Sequence, residues 1–334
     1  MEQSEIKSRQ SELTAVHNRN GFDALPGDVT DPADVERWWA FRDKYHRAHR
    51  LEEHFDFPLQ IDFELNSTCQ MKCSFCVHGV EKVPKRFLSF EDFARVIDEG
   101  SEYGLCSIKM NYINEPLLNR DLPRYIEYAK SKGVLNVYFA TNGLLLSETV
   151  AEKLIMSGVS KIMVSLDATT PETFEAMRHS KHFEKIVRNI LGLITLRKRL
   201  GVSWPLVRVN FVKTPLNVHE ADEFILRWEN VADMIGLQDQ VGIPGADTEM
   251  LDADHGRKTL DTFRCSFPYK LMVVDSRGFV LPCCTFSGRD MPMGHVSEIT
   301  IKQAWDSVMM RRLKLTHQDG KYRDNSVCLH CVGS

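Results

Sequence analysis

Three cysteines, Cys69, Cys73 and Cys76, lie in one short segment of the 334-residue chain. Three thiolates at this spacing can hold three corners of a cubane iron–sulfur cluster and leave one iron free for an exchangeable ligand. Zinc is the alternative, because a structural zinc site needs a closed tetrahedral set of four ligands and His78 could supply the fourth. The spacing indicates a metal centre and leaves both metals open.

A second set of cysteines, Cys265, Cys283, Cys328 and Cys331, lies near the C-terminus. Four thiolates would saturate either a tetrahedral zinc ion or a cubane cluster. The chain has nine cysteines, too few and too clustered for a disulfide scaffold, so metal binding or catalysis is the better interpretation. Of the remaining two, Cys106 stands alone, and a small buried residue is the simplest interpretation for it.

The composition is that of an ordinary globular protein, with 43% hydrophobic and 26% charged residues and a net charge of −4. That charge does not favour a generic basic surface for nucleic acid. We find no apolar stretch of signal-peptide or membrane-spanning type. The sequence therefore predicts a cytoplasmic protein with neither a nucleic-acid nor a membrane partner.

The elements that must position these cysteines alternate between strands and helices from about residue 58 to residue 241. The predicted strands are 58–66, 107–113, 136–141, 161–167, 205–212 and 233–241. Helix starts are predicted at Ser89, at Thr170 followed by proline, and at Asn217 with Glu220 in capping-box spacing. This alternation predicts a parallel α/β sheet.

Two predicted strands alternate apolar and polar residues, and Gln60, Asp62 and Glu64 form the polar set in the first of them. A polar inner face in a parallel sheet indicates a partial, TIM-like barrel whose lumen holds a substrate. A half-exposed antiparallel strand is the alternative. We therefore predict a partial (βα)6 barrel with a small C-terminal α+β domain.

The predicted boundaries are a mostly helical extension over residues 1–57, the barrel over 58–248 and the second domain over 249–334. The extension contains one predicted helix, 34–53, whose histidines His46, His49 and His54 we assign to a solvated face. In the second domain we predict a hairpin over 270–281. One helix is predicted to follow, with apolar residues at Ile301, Trp305, Val308 and Met309.

The first cysteine segment has the pattern C-x-x-x-C-x-x-C with Phe75 before its last cysteine, directly after a predicted strand. It resembles the signature of the radical S-adenosylmethionine enzymes. The resemblance implies a [4Fe-4S] cluster on Cys69, Cys73 and Cys76, with S-adenosyl-L-methionine on the open iron. Reductive cleavage would then yield a 5'-deoxyadenosyl radical that abstracts hydrogen from a substrate. Phe75 would lie beside the adenine.

The resemblance implies further contacts to the cofactor. Glu115, in a segment similar to the family's Gly-Gly-Glu-Pro, would receive the methionine amino group, although the two preceding residues are not glycines. Ser165 and Asp167 match a Ser-x-Asp segment near the ribose and carboxylate. Arg178 would meet the carboxylate, and Asn210 would meet the ribose hydroxyls.

The order of the second cysteine set resembles the truncated SPASM domain, called twitch, in which four cysteines hold one auxiliary [4Fe-4S] cluster. A fully ligated cluster is suited to electron transfer. The resemblance therefore implies an oxidoreductase that removes two electrons from a small sugar or aminocyclitol alcohol. A flavodoxin or ferredoxin would supply the reducing electron.

Several residues are candidates for the remaining proton and hydrogen transfers of such a reaction. Glu64, His78 and Lys213 are the candidates for a base within hydrogen-bond reach of an alcohol. Cys284, beside a predicted ligand, could donate a hydrogen atom, which would make the enzyme an epimerase of a sugar or peptide. A ribosomal-peptide maturase is a further alternative. A non-catalytic zinc or iron–sulfur interaction module is the alternative from a different class.

Overall fold

The computed structural model describes residues 14–18, 24–240 and 263–333. Nine strands of this described part form one sheet. They are β1 (Thr14–Asn18), β2 (Gln60–Phe63), β3 (Ser107–Lys109), β4 (Asn136–Thr141), β5 (Lys161–Ser165), β6 (Leu206–Lys213), β7 (Met234–Asp239), β8 (Leu271–Val274) and β9 (Val280–Leu281). The predicted boundary at residues 248 and 249 lies outside the described residues.

Strands β2 to β7 are neighbours in chain order, and each pairs with the next in parallel. Strand β8 adds to the free edge of β2 in parallel, and β9 pairs with β8 antiparallel. At the opposite edge, β1 pairs antiparallel with β7. The partial parallel barrel is therefore confirmed, and the antiparallel alternative for the first strand is wrong.

Helices cover the outer face of the sheet. These helices are α3 (Phe90–Glu102), α4 (Leu122–Ser131), α5 (Glu148–Met156), α6 (Pro171–Arg178), α7 (Phe183–Arg199) and α8 (Ala221–Trp228). The four-residue α2 (Val77–Val80) directly follows the first cysteine segment. Buried apolar side chains such as Ile61, Phe139 and Val209 pack beneath the outer helices. The lumen face carries Gln60, Asp62 and Arg208, which are also buried. Polar residues therefore fill the inside of the barrel.

Helical structure begins after all three predicted starts, and two of them have a side-chain cap. The Ser89 hydroxyl accepts the Asp92 N–H at 3.0 Å, and the Thr170 hydroxyl accepts the Thr173 N–H at 3.3 Å. At Asn217 a 3₁₀ turn, Val218–Glu220, begins and leads directly into α8. The Asn217 side chain does not cap that turn, because its amide donates to the carbonyls of Asp167 and Val212. Those partners are distant in the chain or lie in the preceding strand, so Asn217 fixes a loop.

The N-terminal extension is less solvated than its sequence predicts. Its helix, α1 (Pro32–His49), buries Trp38 and Phe41. The predicted solvated face is only partly exposed to solvent. His46 and His54 are exposed, but His49 is half-buried, and its Nδ1 lies 3.2 Å from Lys270 Nζ. Strand β1 was not predicted, since its partner lies about 220 residues further along the chain.

In the second domain the predicted hairpin is confirmed by β8 and β9. It follows the short helix α9 (Phe267–Lys270). The single helix predicted next is wrong, because Ser307 starts a new helix, giving α10 (Ile301–Trp305) and α11 (Val308–Gln318). Val308 is consequently 55% exposed. The last helix is α12 (Ser326–Gly333).

Candidate active site

One cavity of about 550 Å³ lies at the carboxyl ends of the barrel strands, between the barrel and the second domain. Both cysteine sets line it. The cysteines that it collects are Cys69, Cys73, Cys76, Cys265, Cys283, Cys284, Cys328 and Cys331. The fold therefore brings together two cysteine sets that are almost 200 residues apart in the chain.

Nitrogen donors surround the first set of thiols. Cys69 Sγ lies 3.4 Å from the backbone nitrogen of Met71 and 3.7 Å from Asn142 Nδ2. Cys73 Sγ lies 3.6 Å from Arg178 Nη1. Burial raises the pKa of each thiol in this set, so thiolates there need a bound metal. Donors aimed at sulfur suit the ligands of an iron–sulfur cluster.

The second set is held differently. Because the Cys265 N–H donates to His317 Nδ1 at 3.2 Å, the proton of the neutral ring lies on Nε2, which is 3.5 Å from Cys328 Sγ. Burial keeps that ring neutral by lowering the pKa of His317 to about 4. At Gly288 a Cβ would come within 2.8 Å of Cys283 Sγ. The missing side chain leaves room around that sulfur.

Within the described ranges, no three His, Cys, Asp or Glu side chains are arranged to hold a metal ion. The fit of the two cysteine sets to clusters rests on the shared cavity and on the donors directed at their sulfur atoms.

Glu115 is buried at the start of a 3₁₀ turn, Pro116–Leu118. Its carboxylate accepts the Thr141 hydroxyl at 2.6 Å, the Asn142 N–H at 2.7 Å and the Leu117 N–H at 3.1 Å. These donors favour the ionised form, whereas desolvation outweighs them and raises the pKa of Glu115. Glu115 lines the cavity, where its fixed carboxylate can receive a cationic group.

Arg178 and Asp167 form a buried ion pair. Asp167 also accepts the Val212 N–H at 2.8 Å and is fully buried, outside the cavity lining. Arg178 does line the cavity, with its guanidinium 5.5 Å from the Phe75 ring centre. This arrangement makes Asp167 a positioning residue for Arg178.

Three further candidates differ in their position. Ser165 and His78 line the cavity, and His78 Nε2 lies 2.9 Å from the Ile113 carbonyl oxygen. Asn210 is half-buried and is not among the lining residues, but its Oδ1 is buried without a hydrogen-bond partner in the described part of the chain.

Two of the predicted bases lie elsewhere. Glu64 Oε2 accepts the Ser276 hydroxyl at 2.7 Å and the Ser276 N–H at 3.1 Å, so it ties β2 to the β8–β9 turn. Lys213 Nζ pairs with Asp239 at 2.5 Å. Neither residue lines the cavity. The geometry therefore leaves His78 as the candidate base.

Comparison with known families gives two matches. The model of the radical SAM superfamily matches residues 63–199, and that of the SPASM iron–sulfur cluster-binding domain matches residues 265–332. The chain carries a radical SAM domain followed by a SPASM domain. These domains imply S-adenosylmethionine, a [4Fe-4S] cluster and an auxiliary iron–sulfur cluster as cofactors. Each domain contains one of the two cysteine sets.

Solved structures share the fold of this radical SAM protein. BtrN in complex with AdoMet and 2-DOIA has a TM-score of 0.53 and 18% identity, covering 81% of this chain and 92% of BtrN. SuiB of Streptococcus suis bound to S-adenosylmethionine has a TM-score of 0.61 and 13% identity, covering 86% and 74%. At these identities the likeness concerns the fold.

Curated relatives are similar over a shorter length. A probable GTP 3',8-cyclase of Saccharolobus solfataricus is 30% identical over 180 residues, which are 54% of this chain and 56% of the relative. One from Methanocaldococcus jannaschii is 26% identical over 166 residues, covering 49% and 53%. The chain thus spans about half the length of these relatives.

Sequence reasoning missed several residues of the radical SAM site. Asn142 directly follows β4, and its position at a strand end was a usable signal. Tyr112 and His317 had no such signal. The Tyr112 hydroxyl donates to the Thr285 carbonyl of the second domain, and His317 accepts from the N–H of Cys265, which lies 52 residues earlier in the chain. Within the described ranges, none of the helices has the length and apolar sequence needed to cross a bilayer.

Proposed function

We propose that this radical SAM protein is an oxidoreductase that removes two electrons from a small sugar or aminocyclitol alcohol. The observation that supports the proposal is the single cavity lined by both cysteine sets. A substrate held there would lie between the radical source and an electron acceptor. When bound, the reduced [4Fe-4S] cluster and S-adenosylmethionine would together supply a 5'-deoxyadenosyl radical.

Residues of the chain would place the cofactor. Cys69, Cys73 and Cys76 would hold the first cluster, Glu115 would receive the methionine amino group, and Arg178 would hold the carboxylate. Phe75, Ser165 and Asn210 would contact the nucleoside. The ion pair to Asp167 fixes the Arg178 side chain before the cofactor binds, which lowers the conformational cost of binding.

Oxidation of a carbinol to a ketone releases one hydrogen atom, one proton and one electron. His78 can take the proton, because its Nε2–H donates to the Ile113 carbonyl at 2.9 Å and leaves Nδ1 with a free lone pair. The electron would pass to the auxiliary cluster on Cys265, Cys283, Cys328 and Cys331. A flavodoxin or ferredoxin would supply the electron that starts the reaction.

The cavity also bears on substrate size. Its volume of about 550 Å³ lies within the usual range for small-molecule pockets and must also admit S-adenosylmethionine. Asn111, Gln238 and Gln240 line it, and amides of this kind suit hydroxyl and amino groups. Both features favour a small polar substrate.

The test uses protein purified and reconstituted without oxygen, then given S-adenosylmethionine, dithionite and a panel of sugar alcohols, aminocyclitols and GTP. We expect 5'-deoxyadenosine and a ketone in equal amounts with a member of the first two classes, and neither product with Cys73→Ala. Radical formation that yields a ketone from no panel member, or cyclised GTP as the product, would overturn the proposal.

An epimerase is the second candidate, because Cys284 lines the cavity without belonging to either predicted ligand set. Turnover in deuterated water separates the two reactions. Epimerisation would fix one deuterium on carbon, and Cys284→Ala would abolish its incorporation. Oxidation would fix none, and Cys284→Ala would still form the ketone.

A further inference from the structure

A second cavity, of about 60 Å³, lies at the opposite end of the barrel from the cysteines. The first residues of several strands line it, among them Gln60, Ser107, Asn136 and Lys161, and α1 covers it with Trp38 and Phe41. This end of the barrel is remote from the carboxyl ends of the strands, where the proposed chemistry takes place.

Three cations lie at this end of the lumen. Lys161, the first residue of β5, and Arg42 of α1 line the cavity, and Arg208 of the neighbouring strand β6 lies close to Lys161 without being one of the lining residues. The Arg208 guanidinium lies over Gly236 of β7, where any Cβ would collide with it. Arg208 is only 8% exposed. The glycine thus provides the space for a buried guanidinium.

Among the described residues, neither Lys161 nor Arg208 has a carboxylate partner. Arg208 Nε is buried without a hydrogen-bond partner in that part of the chain, and the Lys161 ammonium lies 4.7 Å from the centre of the Tyr138 ring. Burial, together with repulsion from Arg208 and Arg42, lowers the pKa of Lys161 to about 8. Like charges in a buried site are costly unless an anion joins them.

The other polar groups of the cavity cannot supply that anion. The Tyr138 hydroxyl donates to Gln60 Oε1 at 3.0 Å, and Asn136 Nδ2 donates to Ser107 Oγ at 2.9 Å. These groups are neutral and bonded to one another. Lys161 is therefore in contact with the face of the neutral Tyr138 ring but with no anion among the described residues.

We propose that Lys161 binds a small oxyanion of the phosphate type at the amino-terminal end of the barrel, with Arg42 on the cavity wall and Arg208 close behind Lys161. A cavity of about 60 Å³ has room for one such ion, and a guanidinium with an ammonium is a common phosphate-binding pair. The ion is either free phosphate or the phosphoryl group of a larger ligand. The site does not depend on the reaction proposed above.

The test measures the Tm of the cluster-loaded protein during titration with inorganic phosphate at constant ionic strength. We expect a saturable rise of about 5 °C at a hundredfold excess over Kd. Ribose 5-phosphate is titrated in parallel. A larger rise with the sugar phosphate would assign the site to a phosphoryl group, and a rise with phosphate alone would assign it to the free ion.

Lys161→Met should abolish the saturable rise, and Arg208→Met is the second variant should the first not fold. Lys198→Met, which removes an exposed lysine of α7, is the control and should retain it. A rise that is linear in phosphate, absent, or equal in Lys161→Met and Lys198→Met would overturn the proposal. A linear rise would mean that phosphate stabilises the protein as an excluded salt, through its whole surface and not through one site.

Discussion

The two cysteine sets differ in how the chain builds them. The first lies in one loop, from Cys69 to Cys76, and barrel residues supply donors to its sulfur atoms. The second joins a segment before α9, the turn after β9 and the C-terminal helix, with His317 of α11 between two of them. The first set therefore depends on local sequence and the second on tertiary assembly.

The largest expected effect is on 5'-deoxyadenosine formation, which should need the first cysteine set and not the second. Cys73→Ala should lower 5'-deoxyadenosine formation by at least about 10³-fold, because the first cluster loses a protein ligand. Cys328→Ala should still form 5'-deoxyadenosine while losing the ketone. Chromatography of both products under anaerobic conditions checks this. Equal losses of 5'-deoxyadenosine in the two variants would remove the difference between the sets.

The next effect concerns the stability of the barrel that carries the first set. Asp62 is 1% exposed, and burial raises its pKa to about 6. Because the unfolded carboxyl ionises at lower pH, wild-type stability should fall as pH rises from about 4 to about 6. Asp62→Asn should therefore gain on the order of 1 to 3 kcal/mol above pH 6 and nothing below pH 4.

Urea unfolding at pH 4 and pH 7 measures this difference. The exposed Asp56→Asn is the matched control, for which we expect equal stability relative to wild type at both pH values. A loss of stability at pH 7 in Asp62→Asn would show that the Asp62 charge is compensated inside the barrel.

A substitution at Glu115 tests whether this barrel residue binds the amino group of S-adenosylmethionine. Glu115→Gln keeps the shape but removes the charge, so S-adenosylmethionine affinity should fall about 10- to 100-fold, as for a lost charge-assisted hydrogen bond. Equilibrium dialysis measures the affinity. Glu102→Gln, at an exposed helix end, should bind as wild type does. An unchanged affinity in Glu115→Gln would place the amino group elsewhere.

The smallest effect belongs to the second set. His317→Leu removes the N–H near Cys328 Sγ, and loss of a donor to sulfur should lower the reduction potential of the auxiliary cluster by on the order of tens of millivolts. His317→Gln keeps an N–H donor and should restore most of the potential. Redox titration followed by electron paramagnetic resonance checks both. A His317→Leu potential equal to wild type would leave the histidine with a packing role alone.

Sequence reasoning located the features that depend on neighbouring residues. The first cysteine segment, the parallel strand order, the Ser89 and Thr170 caps and the β8–β9 hairpin all follow from short patterns. It failed where the partner is distant. Asp167 faces Arg178, Glu64 faces Ser276, and β1 pairs with β7, and no local pattern encodes such pairings.

The pairing of β8 with β2 continues the barrel sheet into the second domain, and the Glu64–Ser276 contact lies at that junction. The two halves therefore share one continuous sheet. A chimera that exchanged the C-terminal half alone would break a strand ladder of the barrel. Engineering a new partner for this barrel therefore requires redesigning both sides of the β2 edge together.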